Sequence, residues 1–355
     1  MKGLLKYLSP FAPDQSGATS VLYDLGGILV ICDAGGCTGN ICGFDEPRWF
    51  GMKSAVFSAG LRDMDAILGR DDKLVAKLKK AVDQIGGDFV ALIGTPVPAV
   101  IATDYRALKK MAENVVGLPV IGIECKGTAL YDEGARSAWC ELFSVFAEEA
   151  DGAKPADPGK RTLGIIGMTP LDISAADPME KLNIPEGYDE ILALGVRGGM
   201  EAVKKAGNVE RNLVVSPAGL KAARQLEKRY GTPYETGYPF FTEEERARFA
   251  ACAGRKVLVI HQQMAANEIR RIIEEAGGAD SAPGQVVCST WFLQDKEFAR
   301  EGDVRFRTEE DFRKYVLEGG FDVIIGDGLL KRAIREYEGE YLEAPHFAIS
   351  GYEGL

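Results

Sequence analysis

Three cysteines recur at five-residue intervals in ILVICDAGGCTGNICGFDEPRW: Cys32 closing an apolar run, then Cys37 and Cys42. Thiolates are the ligands that iron–sulfur clusters and zinc favour, so the chemistry this loop could do is metal binding. Gly35, Gly36, Gly39 and Gly43 lie among the cysteines. Lacking Cβ atoms, they let backbone amides approach a bulky group and donate hydrogen bonds to negative sulfur. Three thiols leave one position of a four-ligand cluster open. Cys125, a non-cysteine group or a second copy of the chain could fill it. The plainer alternative makes Cys32 and Cys42 small buried apolar residues.

The other groups that could act come directly after apolar runs. His261, after KVLVI, could donate a proton or coordinate a ligand, with Gln262 and Gln263 supplying hydrogen bonds. Ser216 after LVV and Asp327 in IIGDG occupy the same kind of position and are candidates to line a cleft. A capping or backbone-paired histidine is the structural alternative at His261. His346 reads as a packed surface residue, and Asp45, Glu46 and Arg48 as a docking surface or as solvated charge. Cys125, Cys140, Cys252 and Cys288 sit in helical or strand patterns and read as core thiols.

The elements that must position these groups are legible as alternation. Short Val/Ile/Leu runs at 28–32, 89–93, 120–123, 162–166, 191–194, 213–215, 257–260, 285–288 and 322–325 read as buried parallel strands. Between some of them, 73–85, 218–230, 265–276 and 309–317 carry apolar residues at helical spacing. Nine such strands need more than one sheet. Their alternation with helices predicts doubly wound α/β domains, whose ligands bind at the carboxyl ends of the strands. The polar DGAKPADPGK (151–160) and the charged stretch 241–255 divide the chain into expected domains 1–155, 156–248 and 249–355.

Composition excludes several classes. The chain has 355 residues, 46% hydrophobic and 27% charged, so disordered and fibrous classes are out. Its 53 acidic against 42 basic residues give −11, and no basic patch stands out, so neither nucleic acid nor an anionic membrane is an expected partner. No run approaches the ~20 apolar residues of a membrane span, and the expected location is cytoplasmic. Seven cysteines are an odd number and suggest thiols or ligands rather than disulfides; two histidines leave little room for His-based zinc sites. No P-loop, G-x-G-x-x-G, H-E-x-x-H or G-x-S-x-G motif is present.

The segment SGATSVLYDLGGILVICDAGGC (16–37) resembles the opening of nitrogenase component 1 type oxidoreductases, with Gly36-Cys37 at the place of a cluster-ligating Gly-Cys. FSAGLRDMDAILGRDDKLVAKL (57–78), LPVIGIECKGTALYDEGARSAW (118–139), NLVVSPAGLKAARQLEKRYGTPYETGYPF (212–240) and the stretch 256–328 resemble later segments of that family in the same order. The resemblance implies three Rossmann-like domains and an iron–sulfur cluster, [4Fe-4S] in the expected form, at an interface between subunits. It also implies a homodimer built through the first domain, and a separate ATP-dependent reductase similar to the nitrogenase iron protein. Two further interface cysteines of the family fall at Pro13 and Pro96. The cysteine that anchors the iron–molybdenum cofactor falls at Ser216, and Ser350 is nearest to its histidine partner. A nitrogen-reducing cofactor site is therefore not expected.

The expected protein is thus an oxygen-sensitive electron-transferring oxidoreductase. Cys37, with Cys32, Cys42 and Gly36, would hold the cluster. His261, Ser216, Gln262 and Asp327 would face a tetrapyrrole, a metal cofactor or a small unsaturated molecule between domains. The alternative is a non-catalytic scaffold or carrier for a metal cluster or cofactor precursor.

Overall fold

The computed structural model describes residues 5–52, 54–148, 160–183, 186–278 and 286–351. Of the expected boundary at 151–160, residues 151–159 lie outside them. Among the described residues the strands form three sheets, paired parallel throughout. The first has the order β2-β1-β3-β4, from β1 (Ile28–Ile31), β2 (Ala55–Ser58), β3 (Val90–Ile93) and β4 (Val120–Ile123). The second has the order β6-β5-β7-β8, from β5 (Thr162–Ile166), β6 (Glu190–Ala193), β7 (Arg211–Val214) and β8 (Tyr234–Thr236). The third runs β11-β10-β9-β12-β13, from β9 (Val257–Ile260), β10 (Val286–Thr290), β11 (Val304–Arg305), β12 (Val323–Gly326) and β13 (Glu340–Glu343).

In each sheet the chain lays strands to one side and then reverses, leaving a crevice where two outgoing loops separate. The crevice falls between β1 and β3, between β5 and β7, and between β9 and β12. The loops leaving those strands carry the cysteine loop and Thr95, Gly167 and Ser216, and His261 and Asp327 respectively. β1, β3, β9 and β12 are buried along their length, as two covered faces require. In β1 the alternation is explicit: Ile28 and Val30 pack with Leu74, Leu78 and Leu108, whereas Leu29 and Ile31 pack with Val21, Leu22 and Trp139.

Helix Asp14–Leu22 crosses helix Tyr131–Phe146 at very short range, and glycine makes this possible. A Cβ on Gly17 would lie 1.8 Å from the Tyr131 carbonyl oxygen, and one on Gly134 would lie 1.8 Å from that of Asp14. The Asp14 carboxylate then accepts hydrogen bonds from the amides of Lys126 and Gly127, each 2.8 Å, and fixes the loop leaving β4. Helix 131–146 carries Trp139 and Phe143 into a core that runs without a break from the first sheet to the second. A second core joins Phe11, Ala12 and Tyr131 to Trp291, Phe292 and Phe347. The N-terminal strap is tied to it by Glu309, whose carboxylate accepts from the amides of Lys6, Tyr7 and Leu8 at 2.7–3.0 Å.

Candidate functional site

At the first crevice β1 runs out at Ile31, and Asp33 organises the cysteine loop beyond it. Its carboxylate accepts from the Thr38 amide (2.8 Å), the Thr38 hydroxyl (3.0 Å) and the Ser58 hydroxyl (2.6 Å). These bonds hold the short helix Gly36–Asn40 over the end of the strand. Gly35 enters it at φ 122°, a conformation L side chains rarely adopt. The helix continues into a wide turn, Ile41–Asp45, where the Glu46 amide donates to the Ile41 carbonyl five residues back (2.9 Å). Such widened turns recur at functional sites. From the other side of the crevice the Thr95 hydroxyl donates to the Cys32 carbonyl (2.8 Å).

The three loop cysteines do not converge. Cys32 continues the Ile28 and Val30 face of β1 and packs with Leu74 and Tyr105, whereas Cys37 packs on the opposite face, with the cluster of Leu29 and Ile31. Strand alternation therefore turns Cys32 away, and complete burial pushes its thiol up to about 12. Cys32, expected as a co-ligand of Cys37, thus packs on the other face of the strand from it. Of the seven cysteines only Cys37 is not buried. Burial and the Asp33 carboxylate push its thiol up, while the Thr95 hydroxyl pulls the other way. Cys42 is raised by burial, then by Glu46 and Asp33. Among the described residues no three His, Cys, Asp or Glu side chains come together as a metal-binding group within one chain. A Cβ on Gly35, Gly36, Gly39 or Gly43 would meet nothing within 4 Å, so the loop faces open space.

Below the loop, charge is buried rather than solvated. Arg48 pairs with Glu46 through Nε (2.7 Å) and Nη2 (2.7 Å), both residues being buried, and its guanidinium lies over the Tyr23 ring. Arg48 Nη1 is buried without a hydrogen-bond partner. The docking and solvated-charge readings of Glu46 and Arg48 are thereby replaced by a structural one. Around the loop, apolar side chains stand in solvent: Phe44, Phe50, Val97, Val100 and Ile101 are exposed, Phe50 and Val100 by more than four-fifths.

The second and third crevices meet, and the side chains there lock together. Ser216 donates to the Gly167 carbonyl (2.9 Å), and Gln262 donates to the Val215 carbonyl (2.9 Å) and accepts from the Met264 amide (2.8 Å). Asp327 accepts from the His346 amide (2.9 Å), the Ser350 hydroxyl (2.8 Å) and the Leu329 amide (2.8 Å). His261 accepts from the Gln262 amide at Nδ1 (2.9 Å), so Nε2 carries the proton it gives to the Pro345 carbonyl (3.2 Å). Burial holds it neutral, pulled down to about 4. Each expected cleft residue thus sits at a crevice with its polar atoms already engaged by neighbouring residues.

Sequence reasoning missed what joins these residues. His346, expected near the surface, is completely buried; it stacks on His261 with ring centroids 4.5 Å apart and its Nε2 lies 3.0 Å from the Tyr131 hydroxyl. Tyr131 donates to Asp172 (2.6 Å), which also accepts from Thr169 (2.8 Å). Desolvation raises the Asp172 carboxyl to about 7. Its Asp-Ile-Ser context resembles any helix turn, and the prolines at the starts of helices Pro96–Val100, Pro170–Ile173 and Pro217–Tyr230 mark one loop of the first crevice and both loops of the second.

An open cavity of about 860 Å3 lies beside the cysteine loop, between the first sheet's loops and the third. Its walls include Gln15, Asn40, Asp45, Thr128, Trp291 and Arg305. Asn40 stands three residues beyond Cys37 on the same short helix, hence on the same face, and donates to Asp45 (2.6 Å). Asp45 also accepts from Ser16 (2.6 Å).

This arrangement, three parallel α/β units with a glycine-rich cysteine loop at the first switch point, defines a class. Residues 16–276 match the nitrogenase component 1 type oxidoreductases, and the chain belongs to that family. It is 25% identical over 186 residues to the nitrogenase iron-molybdenum cofactor biosynthesis protein NifE of Clostridium pasteurianum, covering 50% of this chain and 38% of that protein. To NifE of Klebsiella pneumoniae it is 27% identical over 196 residues, covering 51% and 41%. The chain thus spans about two-fifths of the length of these curated relatives. The solved structure "Nitrogenase Cp1 at pH 6.5" superposes with a TM-score of 0.68 at 15% identity, over 100% of this chain and 88% of the other, which shows the fold. Among the described residues no helix is long and apolar enough to cross a membrane.

Proposed function

We propose that this chain is the cluster-holding component of a nitrogenase-like electron-transfer system. Two copies would face each other through the exposed apolar residues around the cysteine loop. The carrying observation is that Cys37 alone of the seven thiols is presented at the surface, on a loop whose glycines face open space. One chain offers Cys37, partly exposed, and Cys42, buried five residues further on; two copies offer four thiols, the number a [4Fe-4S] cluster takes. Arg48 Nη1, buried and unpaired in the segment that follows Cys42, adds a donor of the kind that suits a negatively charged group. A bound cluster would supply one-electron transfer.

The chain's own residues do the rest. Asp33 and Thr95 set the loop, both cysteines lose their protons on ligation, and the apolar rim excludes water from the shared face. The cavity reached from Asn40 and Asp45 is the seat of the electron acceptor. With no P-loop in the chain, ATP hydrolysis falls to a separate reductase similar to the nitrogenase iron protein, as in the family. The function for which the relatives are named, cofactor biosynthesis, favours a second reading in which the same site assembles or carries a metal cofactor without turnover.

The test is anaerobic reconstitution with iron and sulfide. Wild type should take up iron and turn brown; Cys37→Ala and Cys42→Ala should not, and Cys32→Ala should behave as wild type. A Cys37→Ala protein with undiminished iron overturns the proposal. Transfer of the bound iron to an acceptor protein, without turnover beside a reductase, would select the second reading.

A further inference from the structure

The strap at residues 5–12 forms neither helix nor strand, and its main chain is held at one point. The Glu309 carboxylate, at the start of helix Glu309–Glu318, accepts from three consecutive amides: Lys6 at Oε2 (2.7 Å), and Tyr7 (3.0 Å) and Leu8 (2.8 Å) at Oε1. Among the described residues the backbone of 6–11 makes no other hydrogen bond, and Pro10 has no amide to offer. Ala12, by contrast, is fixed from both sides. Its amide donates to the Ala348 carbonyl (2.8 Å), and its carbonyl accepts from the Tyr131 amide (2.9 Å). The strap thus has one latch toward its beginning and an anchored residue at its end.

Its side chains add little to the hold. Leu5, Lys6, Tyr7, Ser9 and Pro10 are exposed, and only Leu8, Phe11 and Ala12 are buried. The Arg313 guanidinium lies over the Tyr7 ring at 4.6 Å, and Phe11 meets Trp291 edge to face with ring centroids 5.5 Å apart. A segment with few buried side chains and no regular structure lies at the low-stability end of a fold and opens separately from the sheets. Here charge-assisted hydrogen bonds to one carboxylate stand in for a ladder, so one side chain sets how often the segment opens. Leu5, Pro10 and Phe11 are also walls of the cavity beside the cysteine loop, so the strap forms one of its sides.

We propose that residues 5–11 open as one unit about Ala12 when Glu309 releases the three amides, and that opening moves a wall of the cavity and uncovers Trp291. The hinge stays in place because it belongs to the closely crossed helix pair: Pro13 leads into helix Asp14–Leu22, and Tyr131 opens helix Tyr131–Phe146. With the strap closed the cavity holds about 860 Å3; with it open a bulkier molecule can enter. That consequence rests on the reading of the cavity as the acceptor's seat, whereas the opening itself does not.

The experiment is hydrogen–deuterium exchange read by mass spectrometry on the full chain, free of iron. In wild type the peptide carrying Lys6, Tyr7 and Leu8 should exchange faster than β9 and β12 and more slowly than an unstructured peptide. Glu309→Gln should speed it roughly ten-fold and Glu309→Ala more, with β9 and β12 unchanged. Glu310→Gln, at the exposed neighbour, should change nothing. Acrylamide quenching in a Trp49→Phe background reads Trp291, since Trp139 is completely buried. Quenching should rise several-fold on Glu309→Gln and on Phe11→Ala. Exchange at Lys6, Tyr7 and Leu8 that occurs only together with β9 and β12, or is unaltered by both Glu309 variants, overturns the proposal, and so does quenching that stays level while exchange rises. Both readouts are taken without iron, so they stand or fall separately from iron uptake on reconstitution.

Discussion

Replacing Asp172 by Asn removes a titration that the fold has moved across neutrality. The carboxyl is buried, accepts hydrogen bonds from Tyr131 and Thr169, and is raised to about 7 by desolvation. A group raised in the folded state stabilises it fully below the unfolded value near 3.8, and that contribution is lost as pH rises toward 7. Each pH unit in that window costs up to about 1.4 kcal/mol, so the whole window is worth about 4 kcal/mol at most. His261 and His346, held neutral by burial, act oppositely: their contribution is present above about 6.5 and is lost as pH falls below it. Asp132, raised to about 6 by burial, slopes with Asp172. The difference between wild type and Asp172→Asn isolates the one group. Urea midpoints measured from pH 4 to pH 8 should show the variant gaining on wild type steadily up to about pH 7 and level thereafter. A difference independent of pH would refute the assignment of a buried, protonated carboxyl beside Tyr131 and Thr169.

The packing leads to three further outcomes. Gly134→Ala places a methyl group against the Asp14 carbonyl, so the helix pair must separate; a loss of about 1–3 kcal/mol in thermal or urea unfolding is expected, and a neutral result would contradict the close crossing. In the metal-free protein under reducing conditions, iodoacetamide followed by mass spectrometry should modify Cys37 well before the other six thiols, which are buried. Val100→Glu, at a side chain more than four-fifths exposed beside the loop, should leave the fold intact and shift the proposed dimer to monomer in analytical ultracentrifugation.

The parts readable from the sequence were those with a local signature. The Val/Ile runs of β1, β3, β5, β9 and β12 declare buried parallel strands because both faces are covered. Helices 218–230 and 265–276 announce themselves by their apolar stripes. Edge strands did not. β2 has only intermediate burial and β13 carries Glu340 and Glu343, so neither reads as an apolar run. The same limit governs the site. Ser216, His261 and Asp327 were found because each comes directly after a strand, and strand ends at a switch point are local facts. That they bond the backbones of Gly167, Pro345 and His346 depends on contacts over 19–84 residues. Tyr131, Asp172 and His346 come from three separate segments and meet only after the sheets assemble. That Cys32 and Cys37 pack on opposite faces was not legible for a related reason: spacing along the chain says nothing about which face of a strand a thiol occupies until the strand's end is known.

The central claim is that Cys37 and Cys42 from two copies hold one cluster. Its most direct test is iron and chain stoichiometry measured together, by metal analysis and light scattering on the anaerobically reconstituted protein. The account predicts a dimer with about two iron atoms per chain, and an iron-free protein when Cys37 is replaced by Ala. About four irons in a monomeric chain, or none in the wild-type dimer, would contradict it.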